Sequence, residues 1–139
     1  MMSGLYTALS GLNAATQRAE IAARNIVNAN SAGRDPGGPA PLASETLAGI
    51  QAYQPKRFVQ HSLPGGGVGG QAVPVKPATY PVYDPTNPAA DENGTIQYPN
   101  VSLETEFAQL TIAVNSYKAN AKVIKTIDET LGSLLDKKS

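Results

Sequence analysis

The sequence predicts a mainly α-helical protein with a small middle region of β-strands and loops. Its N- and C-terminal helices are expected to pair as an antiparallel coiled-coil hairpin. All eleven prolines of the 139-residue chain lie between Pro36 and Pro99. Both ends are free of proline and carry apolar residues at seven-residue spacing, as helices that pack lengthwise do. We therefore divide the chain into an N-terminal helix at 1–33, a Gly- and Pro-rich middle at 34–100 and a C-terminal helix at 101–139.

The first helix is predicted from two apolar rows that fall on one helical face. Ser3 is the expected N-cap and Gly33 the expected stop. Most side chains in the rows are small, so an isolated helix of this kind gains little stability from burial. The rows are Leu5, Leu12, Ala19 and Ile26, and three residues further on Ala8, Ala15, Ala22 and Ala29.

The last helix shows a matching pattern of two rows. Ser102 is its expected N-cap, Glu104 and Glu106 lie in the first turns, and Lys137 and Lys138 in the last, as the helix dipole favours. The rows are Leu103, Leu110, Tyr117, Ile124 and Leu131, and their partners Phe107, Val114 and Ala121.

The two helices have stripes of similar length, and alanine in one facing larger side chains in the other favours their pairing. Two alternatives stay open. The helices could pack separately on a small β domain, or their stripes could face neighbouring subunits. Periodicity alone does not separate these cases.

The middle is predicted to hold short extended pieces at 71–75, 78–83 and 95–98, because these contain β-forming residues bounded by turn residues. Prolines within them favour edge strands. Asn93 and Gly94 are expected to form a two-residue hairpin turn.

Composition excludes several function classes. Lys plus Arg and Asp plus Glu each number 11, so the balanced charge argues against nucleic acid or a membrane surface as partner. The chain has no cysteine and one histidine, which excludes disulfides, thiolate metal sites and cysteine nucleophiles. No apolar run is long enough to span a membrane, and the N-terminus lacks the pattern of a cleaved secretory signal. We expect no enzyme activity, no catalytic residue, no cofactor and no metal.

Three sequence features are expected to be structural. Gly65, Gly67 and Gly70 match G-x-G-x-x-G, but no helix can begin and persist after them, so a flexible loop is favoured over a dinucleotide site. His61 has no nearby partners for a triad and is expected to be a solvated loop residue. Residues 91–94 are turn formers rather than a cation-binding loop, because the alternating acidic ligands are missing.

Asparagines crowd the end of the first helix, at Asn25, Asn28 and Asn30. Two interpretations stay open. The asparagines could simply terminate the helix, since their amides bond free carbonyls. Asn25 and Asn28 could instead form a hydrogen-bonding knob that fixes the register of packed helices.

Residues 10–18 (SGLNAATQR) and 22–31 (AARNIVNANS) resemble the N-terminal motif of bacterial flagellar axial proteins, the rod and hook subunits. Residues 83–101 (YDPTNPAADENGTIQYPNV) and 116–121 (SYKANA) resemble, within that group, the FlgC family of proximal-rod proteins. The chain departs from the family pattern at Arg24, at Ser31 in place of threonine and at Ile96 in place of valine.

This resemblance implies a structural subunit of the flagellar proximal rod. Such subunits stack helically into a hollow periplasmic shaft that transmits motor torque and forms the export channel. The implied partners are copies of the chain, other rod proteins, the export apparatus and the MS-ring-adaptor side of the basal body, with no nucleic acid, no small-molecule substrate and no membrane insertion. Export would use the flagellar type III apparatus without a cleaved signal peptide. The alternatives are another proximal-rod subunit, FlgB- or FlgF-like, or a soluble coiled-coil adaptor or chaperone.

The residues expected to carry assembly fall into two groups. The predicted packing face comprises Leu5, Leu12, Ile26, Leu103, Phe107, Leu110, Val114, Tyr117 and Ile124. The predicted polar registry residues are Asn25, Asn28, Tyr117 and Asn120.

Overall fold

The computed structural model describes residues 2–38 and 50–136, in which two long helices flank four short strands. At about 1.5 Å per residue, helices of 26 and 34 residues are about 39 and 51 Å long. The element order confirms a mainly α chain with a small antiparallel β region between the helices. The elements are α1 Met2–Val27, β1 Lys56–Ser62, β2 Val68–Pro74, β3 Thr79–Tyr83, β4 Thr95–Pro99 and α2 Leu103–Asp136.

The two helices lie antiparallel and contact each other along their length. A step of seven or fourteen residues toward the C-terminus of α1 moves the contacting residue on α2 by the same number toward its N-terminus. A single register therefore holds along the helix pair. Small residues on α1 allow this close approach. The contacts are Gly4 with Ile127, Gly11 with Asn120, and Asn25 with Glu106.

The buried interior is built almost entirely from alanine. Among the described residues, Ile96 is the largest apolar side chain in it, with 1% of its surface exposed. Because the hydrophobic contribution scales with apolar area, such an interior stabilises a single chain weakly. The buried apolar residues are Ala8, Ala14, Ala15, Ala22, Ala52, Ile96 and Ala113.

Strands β1 and β2 form an antiparallel hairpin, and α1 lies between this hairpin and α2. Gly65, Gly66 and Gly67 form the turn with φ of 88°, 98° and 91°, a region that glycine adopts without strain. The backbone N–H of Val68 donates to Ser10 Oγ on α1 at 3.1 Å, which joins the hairpin to the helix.

Strands β3 and β4 form a second antiparallel pair, in which Pro81 lies opposite Gln97. Both backbone groups of Gln97 bond to Gly33, at 2.9 and 3.0 Å. Gln97 and Pro81 are therefore a non-hydrogen-bonded pair, and the nitrogen of Pro81 points to the free edge of β3. Tyr80 and Tyr98 stack across the pair with ring centroids 6.2 Å apart.

The helix ends match the sequence prediction only at the start of α2. Ser102 caps that helix, because its Oγ accepts from the backbone N–H of Thr105 at 3.3 Å. Ser3 is not an N-cap, since α1 already begins at Met2. Gly33 does not end α1, which stops at Val27. A Cβ at residue 33 would lie 2.5 Å from backbone atoms of 50–52, so the close approach of this backbone requires a glycine there. Lys137 and Lys138 lie outside the described residues.

The strand predictions also need correction. Strand β1 was not predicted, and it places the exposed His61 in a strand rather than a loop. The two-residue turn at 93–94 is wrong, since β3 ends at Tyr83 and residues 84–94 all connect it to β4. Asp91 organises the end of this loop, its Oδ1 accepting from the N–H groups of Asn93 and Thr95 at 2.9 and 2.8 Å.

Candidate functional site

The candidate functional surface is a row of apolar side chains along α2, here called the α2 stripe. Spacings of four, seven and three residues place its members on one face of the helix. Each is between 40% and 54% exposed, and a contiguous exposed apolar row of this kind marks an interaction surface. The α2 stripe comprises Leu103 (40% exposed), Phe107 (54%), Val114 (42%) and Tyr117 (49%).

The α2 stripe is separate from the face of α2 that meets α1. At about 100° per residue, the stripe is rotated about a quarter turn from that inner face. Leu110 lies within the arc of the α2 stripe but is half-buried, and Ile124, also half-buried, lies closer to the inner face. One chain therefore covers one face of α2 and leaves the predicted packing row exposed. The inner face includes Glu106, Ala113, Asn120 and Ile127.

On α1, Leu5, Leu12 and Ile26 are half-buried beside the alanine row rather than at its centre. The outer side of α1 carries a further apolar set, whose members lie outside the two heptad rows. This set is Met2 (82% exposed), Tyr6 (54%), Leu9 (51%) and Val27 (80%).

Asn25 is fully buried and joins three parts of the chain. Its Nδ2 donates to Lys56 O at 2.6 Å and to Glu106 Oε1 on α2 at 2.9 Å. Its Oδ1 accepts from the Tyr53 hydroxyl at 2.9 Å and from the Lys56 N–H at 3.3 Å. The amide thus uses its full bonding capacity at the junction of α1, α2 and the start of β1.

The other predicted registry residues differ from Asn25. Asn28 bonds locally, donating to Arg24 O at 2.9 Å and accepting from Ser31 Oγ at 3.1 Å, as a helix-terminating residue does. Asn120 packs against Gly11 at the helix interface, whereas the side chain of Tyr117 is half exposed on the α2 stripe.

Arg18 is a connecting residue that the sequence analysis missed. Its guanidinium lies 4.7 Å from the Phe58 ring centroid and donates to Gln109 on α2 at 2.8 Å and to Gln60 on β1 at 3.2 Å. Gln109 lies 91 positions and Gln60 lies 42 positions from Arg18 along the chain, so a local sequence pattern could not predict these hydrogen bonds.

Burial shapes the electrostatics around Asn25. It raises the pKa of the Glu106 carboxyl above its ordinary 4.5, and the hydrogen bond from Asn25 partly opposes that shift. Burial also raises the pKa of the Tyr53 hydroxyl above 10.0, with the positive charge of Arg24 acting against it.

Two open grooves lie beside α1. The larger, about 330 Å³, lies near the Asn25 junction and is bordered by Arg24, Tyr53 and Lys56. The smaller, about 170 Å³ and here called the α1 groove, lies on the outer side of α1 under the tip of the β1–β2 hairpin. Its walls include Tyr6, Leu9, Asn13, Leu63, Val68 and Gly70.

Two observations concern metal and nucleotide sites within residues 2–38 and 50–136. There, His, Asp and Glu side chains do not form groups of three or more that could hold a metal ion. The glycines of the G-x-G-x-x-G match belong to the hairpin turn and to β2, which leads to no helix. Neither described helix is apolar over a stretch long enough to cross a bilayer.

Comparisons with known proteins agree with the geometry. Residues 92–137 match the family model described as flagellar basal body rod FlgEFG protein C-terminal. The chain is 33% identical over 136 residues to the flagellar basal-body rod protein FlgC of Agrobacterium fabrum, covering 91% of this chain and 87% of the relative. It is 34% identical over 124 residues to the FlgC proteins of Escherichia coli and Salmonella typhimurium, covering 85% of this chain and 83% of each relative.

Proposed function

The chain belongs to the FlgC family of flagellar basal-body rod proteins and is a structural subunit of the basal body, and from this premise we propose how it builds the rod. Copies of the chain polymerise helically, together with other rod proteins, into the hollow periplasmic shaft that transmits motor torque and forms the export channel. The subunit has no enzymatic role.

The uncovered α2 stripe is the observation that carries this proposal. The alanine interior stabilises one chain weakly, while Phe107 and its neighbours on the stripe stay in water. A second molecule that covers the stripe would therefore add apolar burial that one chain lacks. In this proposal the stripe and the surface that meets it are different patches, so the contact is heterologous, and it extends as a helix where the rotation between subunits does not close a ring.

The terminal helices act as one inner domain in this assembly, comprising 1–33 and 101–139, with 34–100 as the outer part. They pair as an antiparallel coiled coil, in which Asn25 and Asn120 fix the register of α1 against α2. Asn25 suits this role because its bond to Glu106 is lost in any other register. Long helices packed in this way resist torque, because sliding them would unpack interdigitated side chains.

The remaining partners follow from the place of the rod in the basal body. Newly made subunits pass the flagellar type III export apparatus without a cleaved signal peptide. At its base the rod meets the export apparatus and the MS-ring-adaptor side of the basal body. Nucleic acid and small-molecule substrates have no part in this function.

The test is Phe107→Asp on the α2 stripe, with Ala108→Asp as the matched control. Both positions are exposed neighbours on one helix, but Ala108 points away from the stripe. We expect Phe107→Asp to abolish rods in electron micrographs of basal bodies and to abolish motility, because a carboxylate cannot be buried in an apolar contact. Ala108→Asp should retain both.

Circular dichroism of the two purified variants should show equal helix content, which separates lost assembly from lost folding. Rods that contain Phe107→Asp would contradict the proposal. So would a wild-type chain that stays a discrete monomer or dimer in light scattering under conditions where the other rod proteins assemble, as a soluble adaptor would.

A further inference from the structure

We propose that the α1 groove of one subunit receives Phe107 from the α2 stripe of a second copy of this chain, with the second copy's α2 running parallel to the first copy's α1. This inference rests on the proposed function and names the two surfaces that meet.

The α1 groove has the size of an aromatic ring and a lining that is partly apolar. Its volume is about 170 Å³. An apolar cavity of about 150 Å³ is large enough to bind benzene, which has the size of a phenylalanine ring. Tyr6, Leu9 and Val68 supply apolar walls, and Asn13 and Gln17 supply polar ones. Tyr6 and Leu9 are each more than half exposed.

Phe107 is the side chain of the α2 stripe that fits this groove. It is the most exposed member, at 54%, and the next members, Leu103 and Val114, lie four residues before and seven after it on the same face. The ring therefore projects as a knob from an apolar ridge, and burying it removes more apolar surface from water than burying Leu103 or Val114.

The two surfaces cannot meet within one chain. In the register of the helix pair, Leu9 lies level with position 122 of α2, fifteen residues from Phe107. That separation is about 22 Å along the helix axis. The α1 groove also lies on the outer side of α1, away from α2. In our proposal a neighbouring subunit supplies the ring, and this head-to-tail contact can repeat from one subunit to the next.

Charge complementarity sets the direction of the incoming helix. Glu20 follows Leu9 by eleven residues on the outer side of α1, and Lys118 follows Phe107 by eleven residues on α2. Eleven residues are about three helical turns, so each charge returns to the face of its apolar partner. With the helices parallel and Phe107 at Leu9, Lys118 therefore lies opposite Glu20. The Glu20 side chain is 55% exposed and forms a surface ion pair with Arg24, so in this pairing its carboxylate would lie between Arg24 and Lys118.

Disulfide cross-linking tests this pairing, and because the chain has no cysteine of its own, every disulfide within or between its copies involves an introduced cysteine. The variant Glu20→Cys with Lys118→Cys keeps both Phe107 and the α1 groove. We expect assembled basal bodies of this variant, after mild oxidation, to give a ladder of disulfide-linked multimers on a non-reducing gel. Glu20→Cys with Lys125→Cys is the matched control, since Lys125 is an exposed lysine one heptad further along α2.

A second pair, Leu9→Cys with Phe107→Cys, places the thiols at the knob and the groove themselves and should also give the ladder. Linkage within one chain is excluded, because a disulfide requires Cα atoms about 4.4–6.8 Å apart. A ladder in the control alone, a cross-link to a different rod protein, or no ladder in rods that assemble normally would overturn the pairing and leave polymerisation intact. Absence of the wild-type chain from purified rods would instead overturn the proposed function.

Discussion

Gly11 on α1 lies directly against the side-chain amide of Asn120 on α2. A Cβ at residue 11 would stand 2.5 Å from Oδ1 and 2.7 Å from Nδ2 of that amide, closer than real Cβ contacts come. The Asn120 side chain is also fixed within its own helix, since its Nδ2 donates to Ser116 O at 2.8 Å. The closest approach of the two helices therefore depends on one missing methyl group.

Gly11→Ala should destabilise the protein despite the better helix propensity of alanine. Overpacking costs about 1–3 kcal/mol, whereas the propensity gain is about 1 kcal/mol. We expect a net loss of about 1 kcal/mol in the free energy of unfolding, measured by urea denaturation. The double variant Gly11→Ala with Asn120→Ala removes the clash and should recover the loss. A single variant more stable than the wild type would show that the helices are not this close.

Asn25→Ala should lower the free energy of unfolding by about 2–4 kcal/mol, because it removes four hydrogen bonds of a fully buried amide. The groups that lose this partner are the Lys56 backbone, the Tyr53 hydroxyl and the Glu106 carboxyl. Asn28→Ala is the control, since its bonds are exposed and local, and it should cost less than about 1 kcal/mol. Equal losses in the two variants would argue against a special role for Asn25.

The stability of the protein should depend on the protonation of Glu106. Because burial raises its pKa, the folded state holds this proton more tightly than the unfolded state does. The favourable contribution is complete below the unfolded pKa and is lost as pH rises through the folded pKa. Relative to Glu106→Gln, which does not titrate, the wild type should therefore lose stability as pH rises above 4.5 and through the raised pKa, measured by urea denaturation at each pH.

Glu104 provides a control of opposite sign on the same helix turn. Hydrogen bonds from its own backbone N–H and from the Ser102 hydroxyl lower the pKa of Glu104 below 4.5. Relative to Glu104→Gln, the wild type should keep its advantage at neutral pH and lose it as pH falls through the lowered pKa. The same sign of pH dependence for both glutamates would contradict the assigned environments.

The helices could be predicted from the sequence because their signals are local. Absence of proline and seven-residue spacing placed both, and Ser102 with Glu104 marked where α2 begins. The exposed positions of Phe107 and Val114 could not be read in the same way. Both predicted rows of α2 contribute residues to the exposed stripe, and the face that packs against α1 carries Glu106, Ala113 and Asn120, which form no apolar pattern in the sequence.

The middle was harder to predict because its order depends on distant partners. Gly33 reads as a helix stop, yet it serves close backbone contacts with 50–52 and with Gln97. The sequence of β1 shows only a weak alternation of apolar and polar residues. The strand is defined instead by its pairing with β2 and by the stacking of Arg18 on Phe58. The partners of Asn25 lie 28 to 81 positions away, so its role at the junction has no local pattern.

Pro81 has a consequence for how this chain avoids unwanted association. Short two-stranded sheets invite foreign strands to add at their sides, a route to amorphous or fibrillar by-products. At the middle of the open side of β3, a pyrrolidine ring stands where an incoming strand would seek an amide hydrogen. The open side of β3 is thereby protected from templating a foreign strand.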